Sequence, residues 1–164
     1  MKTILVAACL LAGTCVAGFA GLKEGDIEVG GQSTGGLNTS LAKGGGSSIG
    51  VTAIGGYVLK SDLEVRGVFS LNKASGQKLS GAIMGGADYL FEASDPWYPY
   101  AGGDIGVLFV GGTGKFGGDI HGGAKYFLAD NVSLNLEASF KFLFDSIGDG
   151  DLGINAGLSV FFNL

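Results

Sequence analysis

One histidine and a scatter of carboxylates are the residues in this chain that could do chemistry. His121 follows Asp119 by two positions, and a symmetric hairpin through "GGTGK" (Gly111–Lys115) would set it across from Asp104 on the same face. An aspartate and histidine pair is part of the machinery of a hydrolase or acyltransferase, but it works only with a nucleophile or an activated substrate beside the base. No motif supplies one. A metal centre is no better founded, because there is no second histidine, the acids are scattered, and both cysteines, Cys9 and Cys15, lie near the N-terminus. The glycine-rich "KGGGSSIGV" lacks the Gly-Lys-Ser/Thr ending and the following helix of a phosphate loop. We therefore expect no catalytic residue, no metal and no cofactor.

The elements that carry these charges are legible in "VSLNLEASFKFLF", Val132 to Phe144. Glu137 and Lys141 stand four apart, the spacing of a helical ion pair. Yet Val132, Leu134, Leu136, Ala138, Phe140, Phe142 and Phe144 take every second position, and Ser133, Asn135, Glu137, Ser139 and Lys141 take those between. Period two means a strand with one apolar and one polar face. Four residues of strand span about 13 Å, so Glu137 and Lys141 cannot pair with each other and each must look elsewhere. Thirteen residues is also long beside the usual five or six.

The same alternation runs through the chain from Ile27. Apolar sets at Ile27 and Val29, Ile49 to Leu59, Leu63 to Leu71, Leu79 to Phe91, Ala101 to Phe109, Phe116 to Leu128, Val132 to Phe144 and Leu152 to Leu164 make eight strands. Gln32–Ser48, "EASDPWYPY" and "DSIGDGD" read as connections. The 33 glycines argue against a helical protein, since each costs roughly 1 kcal/mol relative to alanine inside a helix. The expectation is an all-β, eight-stranded, antiparallel up-and-down barrel, whose closure removes the exposed edges of a long sheet.

Which face points inward decides the class of barrel. A soluble barrel would show water a register rich in lysine and glutamate, whereas here the polar register is crowded with glycine, serine and alanine and suits a cramped interior. The apolar register contains no Asp, Glu, Lys, Arg or His across the eight strands. In a membrane barrel that register faces lipid, where a mid-depth charge would cost about 2–4 kcal/mol. All five tyrosines, Tyr57, Tyr89, Tyr98, Tyr100 and Tyr126, together with Trp97, cluster by the second, fourth and sixth connections, which share one end of the barrel. They read as an aromatic girdle at headgroup level. The fold class is thus a transmembrane β-barrel.

The inward charges are then Glu28, Glu64, Arg66, Asp88, Asp104, Asp119, His121, Lys125, Glu137 and Lys141, a network that fills the lumen. A tight "ADN" turn sets Lys125 opposite Asn135 and diagonal to Glu137, predicting a Lys125 to Glu137 contact, with Lys141 turned toward Asn155 or across the lumen.

At the N-terminus, Lys2, an apolar run from Ile4 to about Val16 and small residues at Gly18 and Ala20 have the layout of a signal peptide spanning 1–20, leaving a single barrel domain over 21–164. Cleavage would remove both cysteines and with them any disulfide. A net charge of −5 and the lack of a Lys/Arg run exclude nucleic acid as a partner.

On these features the chain resembles the small eight-stranded outer-membrane β-barrel proteins of Gram-negative bacteria over essentially residues 21–164. The most specific match is "NAGLSVFF", where Asn155, Gly157, Val160 and Phe162 have the spacing of the assembly signal read in the last strand; the family usually ends on that aromatic, whereas Asn163 and Leu164 follow here. The resemblance implies insertion by the barrel assembly machinery into the cell outer membrane, a periplasmic N-terminus and loops on the outer side after the odd strands. We expect a monomer embedded in outer-membrane lipid, with a structural or surface-interaction role. The alternatives are a small porin-like channel with cation preference, given six inward acids against three inward bases before His121 is counted, and, less in keeping, a lipid-acting barrel enzyme or a soluble ligand-binding barrel.

Overall fold

Long alternating segments leave the chain one economical way to satisfy its backbone: each strand pairs with its sequence neighbour until the last meets the first. The computed structural model describes residues 22–38, 46–74, 78–91, 96–110 and 112–163, and shows that arrangement. The strands are β1 (Asp26–Asn38), β2 (Gly46–Lys60), β3 (Leu63–Ala74), β4 (Ser80–Leu90), β5 (Trp97–Val110), β6 (Thr113–Ala129), β7 (Val132–Leu143) and β8 (Ser146–Asn163), closed in that order into an antiparallel barrel. The shortest has 11 residues, enough to cross the hydrocarbon layer of a bilayer when tilted. The proposed signal peptide, 1–20, lies outside the described residues.

Closure runs from Asp26 paired with Asn163 to Thr34 paired with Asn155. At this seam Gly157 is required by space: a Cβ there would run into the carbonyl oxygen of Gly31 and the side chain of Gln32. The termini and the connections β2–β3, β4–β5 and β6–β7 share one end, called here the turn end.

The faces fall as the alternation demands. Val51, Phe69, Ile83, Ile105, Ile120, Leu136 and Ile154 stand exposed on the outer wall, Ile105 at 69%. Glu28, Glu64, Arg66, Asp88, Asp104, Asp119, His121, Lys125 and Glu137 are buried inside. Where charge reaches the outside, as at Lys60 and Lys73, it sits at a strand end.

Three expectations about connections are corrected. β1 and β2 extend to Asn38 and from Gly46, well into the segment read as a loop; β5 begins at Trp97 rather than Ala101; and β8 begins at Ser146, inside "DSIGDGD". Glycine, serine and asparagine favour loops when read locally, but a partner strand offering a full ladder of hydrogen bonds outweighs that preference. The β5–β6 hairpin is tighter than a symmetric "GGTGK" turn. Val110 pairs directly with Thr113, and Gly112 takes a φ of 93° that a side chain would oppose. Asp104 therefore pairs with Asp119, and His121 lies opposite Gly102, not Asp104.

Candidate functional site: the charged belt in the lumen

The lumen is stacked in layers because each inward-facing strand position contributes at a fixed height. Nearest the turn end is an apolar plug of Leu22, Val58, Leu90, Tyr100, Phe127 and Phe161, all buried, with Tyr98 packed against it. Deeper in lies a belt of charge. Beyond that, Ile54, Val68, Ala82 and Met84 with Leu108 form a second apolar layer. Along β4 the order is plain: Leu90, Asp88, Met84.

Two cations organise the belt. The Arg66 guanidinium gives Nη2 to Asp104 Oδ2 at 2.8 Å, with Nε 3.2 Å from Oδ1, and gives Nη1 to Glu137 Oε2 at 3.0 Å and to Asp88 Oδ2 at 3.3 Å. A planar fork suits several carboxylates at once, which an ammonium could not hold in this geometry. Its partners come from β4, β5 and β7, so the side chain crosses the barrel. Lys125 does the same from β6, reaching Glu28 Oε2 on β1 at 2.5 Å and Glu64 Oε2 on β3 at 2.6 Å. Its Nζ also lies 5.2 Å from the centre of the Phe161 ring and 5.6 Å from that of Tyr100, so the plug's aromatic rings face the belt's cation.

The predicted Lys125 to Glu137 contact is therefore wrong. The register is as expected, Lys125 opposite Asn135, but the lysine takes carboxylates across the lumen, and Glu137 is held by Arg66, by the Tyr100 hydroxyl at 3.0 Å and by the Asn155 amide at 2.9 Å. Lys141 lies in register with Asp119 on one side and Asp151 on the other, four residues along β8 from Asn155, which is instead opposite Glu137.

His121 sits at the hub, 6% exposed. Its Nε2 is 2.7 Å from Asp88 Oδ1; its Nδ1 is 3.0 Å from Asp119 Oδ1, 3.0 Å from Arg66 Nη2 and 3.9 Å from Asp104 Oδ2. No hydroxyl or thiol is hydrogen-bonded to it among the described residues. Asp104, Asp119 and His121 bring potential ligand atoms within 4.8 Å of one another, a metal-like grouping that scattered sequence positions had concealed. Arg66 Nη2, in contact with both Asp104 and His121, already supplies a positive charge at that place.

The aromatic cluster divides. Tyr57, Tyr89 and Trp97 are exposed on the outer wall at the turn end, and Tyr126 packs edge-on against Trp97 with centroids 4.8 Å apart. Tyr98 and Tyr100 do not belong with them. Because β5 starts at Trp97, alternation turns both inward; Tyr98 packs against Phe127 at 5.3 Å, and Tyr100 is 3% exposed. Tyr100→Phe should cost about 1.5–3 kcal/mol of unfolding free energy, the worth of one buried hydrogen bond to a carboxylate, whereas Tyr126→Phe should change it by less than about 0.5 kcal/mol. Urea titration followed by fluorescence of Trp97 separates the two.

The plug was missed, although a signal for it exists. Strands β2, β4, β6 and β8 each finish at the turn end with an unbroken apolar triplet: Tyr57-Val58-Leu59, Tyr89-Leu90-Phe91, Tyr126-Phe127-Leu128 and Val160-Phe161-Phe162. The middle residue of each departs from the polar phase and points into the lumen. Of the residues matched to the assembly signal, Asn155 and Gly157 face inward and Val160 and Phe162 outward, all within β8.

The fold is shared with known membrane barrels. It is similar to the N-terminal β-barrel domain of Pseudomonas aeruginosa OprF, with a TM-score of 0.66 at 15% identity over 86% of this chain and 100% of that one. Neisserial surface protein A (NspA) gives 0.63 at 19% identity, covering 84% and 96% of the two chains. A de novo designed transmembrane β-barrel gives 0.65 at 15% identity, covering 87% and 99%. No protein-family model matches the sequence, and no curated protein does. At these identities what is shared is the architecture, an eight-stranded transmembrane β-barrel.

Proposed function

We propose that the chain is an integral outer-membrane protein with a sealed lumen, serving a structural or surface-interaction role and not acting as a conduit or an enzyme. The observation that carries this is the pair of cations spanning the lumen: Arg66 ties β3 to β4, β5 and β7, and Lys125 ties β6 to β1 and β3. The apolar plug covers the belt at the turn end and a second apolar cluster from β2 to β5 narrows the lumen beyond it, so an ion would have to pass charges largely engaged with one another. The burial of His121 and the attachment of both its ring nitrogens to carboxylates leave it without a substrate-facing edge, which speaks against lipid-acting chemistry.

On this reading the chain is exported by way of residues 1–20, inserted by the barrel assembly machinery through Asn155, Gly157, Val160 and Phe162, and works as a monomer among outer-membrane lipids. The β5–β6 and β7–β8 connections are two-residue turns, so any surface partner would meet mainly the other loops at that end.

In planar bilayers the folded protein should be silent at all voltages. A cation-selective channel is the competing function, favoured by the six belt carboxylates, Glu28, Glu64, Asp88, Asp104, Asp119 and Glu137, against Arg66, Lys125 and His121. Reproducible unitary steps with cation preference would replace the sealed barrel by that channel. Retention in carbonate-washed membranes and a shift of gel mobility on heating check the membrane location independently.

A further inference from the structure

Resting on the membrane location just proposed, we infer that the turn-end rim binds one phospholipid with a zwitterionic, primary-ammonium headgroup. A hollow of about 680 Å³ opens there between the β2–β3 turn and the end of β4, with Leu22, Leu90 and Tyr98 of the plug at its back. Its polar side carries Lys60, Glu24 and Asp62; the first two are exposed, and none of the three forms an ion pair among the described residues. Its apolar side carries Leu59, Tyr89 and Phe91, all at least 42% exposed, with the two rings edge to face at 5.2 Å.

Unpaired charges of both signs around one hollow fit a ligand that itself bears both, phosphate toward Lys60 and ammonium toward Glu24 and Asp62. A primary ammonium donates hydrogen bonds to carboxylates, which a quaternary choline cannot do. The acyl chains also have a place. A second hollow of about 400 Å³ lies deeper on the outer wall, floored by Gly55 and Gly67 and bordered by Tyr57 and Val65. Val65 pairs with Tyr57 and Leu63 with Tyr89, so the two hollows adjoin along β3. Headgroup pocket and apolar groove thus stand in the order a phospholipid needs, polar at the rim and apolar toward the bilayer centre.

The test uses the whole protein folded into bilayers of phosphatidylethanolamine, phosphatidylglycerol and phosphatidylcholine in equal amounts with identical chains. Bound lipids are then counted by native mass spectrometry after extraction into detergent. Wild type should retain phosphatidylethanolamine about fivefold over each of the others, the effect of one favourable charged contact at an exposed site. Asp62→Asn should bring that ratio close to one, whereas Lys60→Ala removes the partner of a phosphate that all three lipids share and should lower retention of all three with the ratio unchanged. Gly55→Leu fills the groove, since an added Cβ meets nothing within 4 Å, and it should lower retention of all three lipids with the ratio unchanged. Soluble phosphoethanolamine should not displace the lipid, because it brings no acyl chain to the groove.

Equal retention of the three lipids by wild type, a preference that survives Asp62→Asn, or displacement by phosphoethanolamine each overturns the lipid site and leaves the membrane barrel standing. Failure of the wild-type chain to enter bilayers at all overturns both.

Discussion

Arg66→Ala should lower the unfolding free energy of the barrel by about 3–5 kcal/mol, the cost of stranding buried charge by removing one partner of an ion pair. The arginine is the common partner of Asp88, Asp104 and Glu137, each 6% exposed or less. Without it three carboxylates face one another with no cation among them except what His121 can supply. Arg66→Lys should recover only part of the loss, because an ammonium is a point donor and cannot grip Asp104 along one edge while serving Glu137 from another. Trp97 is the sole tryptophan and stands on the outer wall, so its fluorescence reports release from lipid during urea unfolding in vesicles. A loss below about 1 kcal/mol, the worth of an exposed pair, would mean that the belt is hydrated and that Arg66 does not hold it together.

The second large effect is expected on the opposite face. Ile105→Arg places a charge near the middle of β5 on the outer wall, where the native side chain is 69% exposed. If lipid lies against that wall, the cost is about 2–4 kcal/mol. The same change at Leu128, also exposed but at the turn end, should cost about 0–1 kcal/mol because arginine reaches the headgroups there. A soluble barrel predicts the reverse: replacing an exposed isoleucine by arginine would be neutral or would improve solubility. The depth dependence is therefore the diagnostic quantity, measured by the same urea titrations on both variants.

The sequence carried the wall of this barrel better than its contents. Period-two alternation needs only neighbouring residues, so the strands, their faces and the inward position of every belt residue could be read directly. Pairing within the lumen depends on where distant strands stand after closure. That is why Lys125 was matched with its diagonal neighbour Glu137, when Glu28 and Glu64, far away in the chain, are its partners. The same limit hid the meeting of Asp104, Asp119 and His121, whose register turns on whether two or more residues make one hairpin. Tyr98 and Tyr100 were misplaced for a simpler cause: once a stretch is taken for a loop, alternation is no longer applied to it.

The plug at the turn end has a consequence for how the molecule comes to exist. Leu22 precedes the first strand and Phe161 belongs to the last, yet they share one cluster. A partly zipped sheet can bring neighbouring members such as Leu90 and Tyr100 together, but the whole cluster is completed only when β1 and β8 join. Until then the belt charges remain open to water and keep their hydration. Their dehydration and the burial of the plug thus fall in the same late step, after the entropy of closing the longest loop in the chain has been spent. The barrel should consequently show a high kinetic barrier at the final seam and, once past it, little tendency to reopen strand by strand.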